Sequence, residues 1–85
     1  MSGLDLTKTR KAVLKWRARE EELIKLLYKV KSDAGFRQWE AKERKNDDML
    51  RAAFYEDTKD RNNRSAVMRI NPRDIVRLAE TGSWR

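Results

Sequence analysis

The stretch LTKTRKAVLKWRAREEELIKLLYKVKSDAGF, residues 6–36, decides how the rest of the chain must be read. Leu6, Val13, Trp16, Leu23, Leu27 and Val30 fall on the three-and-four alternation of one helix face, with Glu20 the polar interruption and Ile24 widening the stripe. Thr7 is suited to cap the start, because its hydroxyl can accept an otherwise unpaired backbone N–H. Ser32-Asp33-Ala34-Gly35 interrupts the pattern, and Gly35 is expected to stop the helix in the left-handed conformation. The spacing predicts a helix over residues 6–31, roughly 36–39 Å long at ~1.5 Å per residue.

Downstream, a second helix is predicted over residues 36–58. Its apolar side gathers Phe36, Trp39, Leu50, Ala53 and Phe54, with Met49 at the margin and Glu43, Asn46 and Asp47 in the middle. Arg44 and Lys45, set against Glu40 and Asp48, read as a solvated, ion-paired exterior. A four-residue break between two amphipathic helices predicts an antiparallel hairpin, with Trp16 and Trp39 in its core. Residues 59–65 read as a polar loop. Residues 66–70 leave two options open, a short strand or a segment laid over the hairpin. Asn71-Pro72-Arg73-Asp74 carries a cap, a proline at the first helical position and an acid in the first turn, so a helix over 72–81 follows, ended by Gly82. Val67, Ile70, Ile75, Val76 and Leu78 are expected to pack back on the hairpin. The fold class is therefore all-α: one small domain over residues 1–85, a long antiparallel helical hairpin plus a short C-terminal third helix.

Composition bounds the function. With 41% charged and 39% hydrophobic residues in a chain of 85, the core must be thin. Cysteine and histidine are both absent, which removes disulfides, thiolate zinc sites, thiol nucleophiles and the commonest general base. No apolar run approaches the roughly 18 residues of a membrane span, and Met1-Ser2-Gly3-Leu4-Asp5 has no secretory hydrophobic region. An intracellular protein is expected, in the cytoplasm or an organelle interior, free or complex-bound and not secreted. No Gly-rich phosphate loop, nucleophile elbow or metal-ligand spacing occurs. Glu20-Glu21-Glu22 and Asp47-Asp48 are neighbours that diverge on a helix. Glu20 and Glu43 are the acids expected half-buried between helices, where they would meet Lys or Arg across the hairpin or fix helix register at some cost in stability. The expectation is a non-enzyme without catalytic residues, metal or cofactor.

What remains is charge. Twenty-one Lys and Arg face fourteen Asp and Glu, and the surplus sits at the two ends of the chain. Lys8, Lys11, Lys15 and Arg19 advance by three, four and four, so they share one helix face suited to phosphate contact, or to plain solvation. From residue 61 onward every cation is Arg: Arg61, Arg64, Arg69, Arg73, Arg77 and Arg85. Arg forms planar, bidentate contacts and gives up its water more readily than Lys, and Trp84 is read either as an aromatic anchor beside this set or as a lid packed on the C-terminal helix. Two functions are weighed. In the first, a small basic accessory subunit or adaptor docks through Arg61, Arg64, Arg69, Arg73, Arg77, Trp84 and Arg85 on an acidic surface of a larger protein complex. In the second, the Lys/Arg stripe joins the Arg tail along RNA or DNA without reading sequence. Self-association as a homodimer through the apolar stripes is a third expectation.

Overall fold

The computed structural model describes residues 5–82, and they form four helices: α1 Thr7–Lys29, α2 Asp33–Thr58, α3 Arg64–Val67 and α4 Pro72–Thr81. No strand occurs among the described residues, so the all-α expectation holds, with two long packed helices and a short C-terminal one. The molecule is elongated, 51 × 23 × 20 Å. None of its described helices is long and apolar enough to cross a membrane.

Cross-links between α1 and α2 fix their antiparallel register. Near the start of α1, the Thr9 N–H and hydroxyl both donate to Asp57 Oδ2 at 2.7 Å. Two turns on, the Trp16 indole N–H donates to Asp47 Oδ1 at 2.9 Å. Two turns further, the Leu23 carbonyl accepts from the Trp39 indole at 2.7 Å. As the α1 number rises, its α2 partner's falls. The end near Thr9 is the base of the hairpin and the end near Trp39 leads to its tip.

Several boundaries differ from the sequence reading. Leu6, not Thr7, stands at the N-cap of α1, and its side chain is buried in the core instead of capping. Asp5 takes over, accepting from both the N–H and the hydroxyl of Thr7, which hold its carboxyl below the usual carboxylate range. At the turn, Val30 goes extended and α1 ends at Lys29, short of residue 31. Gly35 is not a stop. Ser32 is extended and its Oγ accepts from the Gly35 N–H at 3.1 Å, so α2 begins at Asp33 with Gly35 in its first turn. A helix start and a helix stop compete over these four residues, and the Ser32 cap wins.

Beyond α2, the polar loop is shorter than expected. The Asn63 side chain accepts from the Ala66 N–H at 2.8 Å and opens α3 at Arg64. Residues 66–70 are thus a helical turn and its exit, not a strand, and Val67 is fully buried there. α4 lies where its signals put it: Asn71 Oδ1 accepts from the Arg73 N–H at 2.9 Å, and Gly82 closes the helix at φ 73° with its N–H on the Leu78 carbonyl.

The core joins Leu6, Ala12, Val13 and Trp16 of the first segment to Leu50 and Phe54 of α2. Val67 and the α4 residues Ile75, Val76, Leu78 and Ala79 cover them. All of it lies at the base. Trp39 is only half-buried and Phe36 is exposed, so neither joins this core, contrary to the sequence reading of Trp39. α4, ten residues long, does not reach that far.

Candidate functional site

α4 divides the hairpin into a covered and an uncovered face. On α1, Arg10 Nε donates to the Ala79 carbonyl and Arg17 pairs with Glu80. On α2, Arg51 Nε donates to the Ile70 carbonyl at 2.8 Å. These residues mark the covered side. At ~100° per residue, Lys8 stands about 160° round α1 from Arg10, and Lys15 and Arg19 stand about 160° from Arg17. The stripe Lys8, Lys11, Lys15 and Arg19 therefore runs along the uncovered side, and all four are exposed.

Cations of α2 join that stripe. Lys42 stands about 180° and Lys45 about 120° round α2 from Arg51. With Arg19 they rim a cleft of about 250 Å³ floored by Leu23 and Leu26. Next to it, towards the tip, a second hollow of about 390 Å³ is rimmed by Lys29, Lys31 and Lys42 and walled by Leu26, Val30 and Trp39. Leu26 and Lys42 belong to both, so the two make one groove. The acids near this face are few: Glu22 lines the first hollow, and Glu56 lies 3.8 Å from Lys8. Lys45 is not neutralised as the sequence reading had it, because Asp48 pairs with Arg51 at 3.0 Å.

A polar layer crosses the interior midway along the hairpin. Asn46 is buried, and its amide donates to the Trp16 carbonyl at 3.1 Å and to Glu20 Oε2 at 3.2 Å. Its Oδ1 finds no donor among the described residues. Carboxylate oxygens of Glu20, Glu43 and Asp47 lie within 4.8 Å of one another. Burial pushes the Glu43 carboxyl up to about 7, assisted by its hydrogen bond to Glu20 and by the charges of Glu20 and Asp47, and opposed by Arg73. Of the two roles expected for these acids, a Lys or Arg partner bonded across the hairpin does not occur: Glu43 is hydrogen-bonded to Glu20 instead. The three carboxylates are also the described residues whose oxygens could converge on one metal ion.

The Arg set of the C-terminal segment lies elsewhere. Arg61, Arg64 and Arg69 are exposed on the connection between α2 and α4, and Arg77 is exposed on α4. The Arg73 guanidinium sits 6.0 Å from the centre of the Trp16 ring, on the covered face. Arg73 and Arg77 are thus on the opposite side of the hairpin from Lys8, Lys15 and Arg19 and do not join their track. Trp84 and Arg85 lie outside the described residues. Lys29, Lys31, Lys42 and Lys45 were not singled out as contact residues by sequence reasoning. The three-residue spacing of Lys42 and Lys45 was visible, but its alignment with α1 depends on how the helices are rotated. No family model, curated protein or solved structure matches this chain.

Proposed function

We propose that this protein is a non-catalytic nucleic-acid-binding protein that lays a phosphate backbone along the uncovered face of its hairpin. The observation that carries this reading is the pooling of cations from both long helices, Lys8, Lys11, Lys15 and Arg19 with Lys42 and Lys45, on the side that α4 leaves open. Each phosphate met by a Lys releases condensed counterions, so binding is driven by salt dilution and is indifferent to sequence. From Lys8 to Lys31 the face extends roughly 35 Å at ~1.5 Å per residue, close to one duplex turn.

The test is a salt titration of binding to a mixed-sequence nucleic acid. With about six phosphate contacts, affinity should fall on the order of a thousandfold between roughly 50 and 200 mM salt. Reversing Lys15, Lys42 and Lys45 to Glu together should weaken binding at low salt and lower the salt slope by about three. An unchanged slope would remove the uncovered face from the interaction.

A second reading, an accessory subunit docked on an acidic protein surface, draws on Arg61, Arg64 and Arg69, which stand exposed on the α2–α4 connection. It predicts that reversing these three to Glu abolishes nuclease-resistant co-purification with a larger assembly, while the Lys variant leaves it intact.

A further inference from the structure

We infer that the hollow at the tip end of the groove receives an unpaired nucleotide, so that the nucleic acid bound by this protein is single-stranded there. The inference rests on the nucleic-acid reading above and names its substrate class.

A track for phosphates alone needs cations and water. The hollow between α1 and α2 offers more. Lys29, Lys31 and Lys42 stand at its rim, while Leu26, Val30 and Trp39 form its walls. Apolar surface beside three ammonium groups fits a ligand that is flat and apolar at one end and anionic at the other. A nucleotide has that division: its base can leave water against the wall while its phosphate stays at the rim. A duplex cannot use such a wall, because its bases are already stacked on one another. The volume, about 390 Å³, falls within the range of roughly 300–1,000 Å³ found for small-ligand sites.

The aromatic wall is fixed before any ligand arrives. The Trp39 indole N–H donates to the Leu23 carbonyl at 2.7 Å, which sets the ring's tilt. Phe36 stacks on it, with ring centres 5.7 Å apart and planes 22° from parallel. Phe36 is itself 42% exposed, so the stack reaches solvent. Gln38 also lines the hollow, and its amide is able both to donate to and to accept from a base edge. Stacking of this kind tolerates any base, in keeping with binding that does not read sequence.

The test compares three probes at low salt: a short DNA strand, the same strand with its bases removed to leave sugar and phosphate, and the corresponding duplex. The intact strand should bind roughly tenfold or more tighter than the base-free strand. Trp39→Leu, which keeps apolar bulk but removes the aromatic face, should erase that difference between intact and base-free strands. Fluorine NMR on fluorotryptophan-labelled protein supplies a readout that does not depend on the variant folding. The Trp39 resonance should shift with the intact strand and stay in place with the base-free one. Equal affinity for intact and base-free strands, with a silent Trp39 resonance, overturns the inference and leaves the phosphate-track reading standing. Failure of all three probes to bind at low salt removes both.

Discussion

At the base of the hairpin Leu50, Phe54, Val67 and Ile75 are completely enclosed, whereas towards the tip Ile24, Leu27, Tyr28 and Phe36 keep between 37% and 85% of their surface in solvent. The same two long helices run through both regions. What separates them is α4, which spans only ten residues and spends all its apolar side on the base. Stability and surface properties are thereby divided along one molecule. The base holds the fold, and the tip presents apolar and basic groups that the fold does not consume.

The sharpest way to break this contrast is to truncate the same residue type in each region. Phe54→Ala should cost about 3–5 kcal/mol, enough to unfold much of so small a protein, because its cavity cannot collapse within a packed core built from all four helices. Phe36→Ala at the tip should cost about 0.5 kcal/mol or less, as befits an exposed position. Urea unfolding of both variants checks this, and equal losses would show that the tip shares the core's role.

Asp57 offers an intermediate test. Its carboxylate accepts from the backbone and hydroxyl of Thr9, so Asp57→Ala leaves a fully buried hydroxyl and a helix-start N–H without a partner. A loss of about 1–3 kcal/mol is expected. Amide exchange should place that loss in the first turns of α1, leaving exchange at the tip as it was.

A smaller, pH-dependent effect concerns the polar layer where the two regions meet. Folded Glu43 keeps its proton up to about pH 7, while its ordinary value is 4.5. The folded chain therefore binds one proton more than the unfolded chain between these values. The stability it supplies is complete below about pH 4.5 and is lost as the pH rises through 7. Glu43→Gln, neutral throughout, should flatten this decline. At pH 8 it should be the more stable protein by on the order of 1 kcal/mol once solvent screening is allowed for, or ~4–8 °C in Tm for a chain of this size. Parallel declines of the two proteins in melting curves from pH 4 to 8 would place the pH response elsewhere.

Much of the fold was legible because its signals are local. Asn71 before Pro72, and Gly82 after Thr81, are cap and stop chemistry within a few residues, and α4 has the bounds they imply. The turn was misread for the same reason: Ser32 and Gly35 carry opposing local signals, and the Ser32 cap on the Gly35 N–H prevails. The stripe from Lys8 to Arg19 could be read from the period of one helix. The groove could not, since placing Lys42 and Lys45 beside Arg19 requires the rotation of two helices about their contact. The hydrogen bond between Glu20 and Glu43 was hidden likewise, as residues 23 positions apart reveal their separation only in three dimensions.

The ties from Thr9, Trp16 and Leu23 to α2 fall at seven-residue intervals along α1, one every two turns. A hairpin stitched in this way has no built-in length. Seven residues added to each arm beyond the Trp16–Asp47 tie would carry the tip outward by ~10 Å with the end that α4 clasps undisturbed. Reach is thus a property that insertion and deletion can retune, one stitch at a time, without renegotiating the architecture.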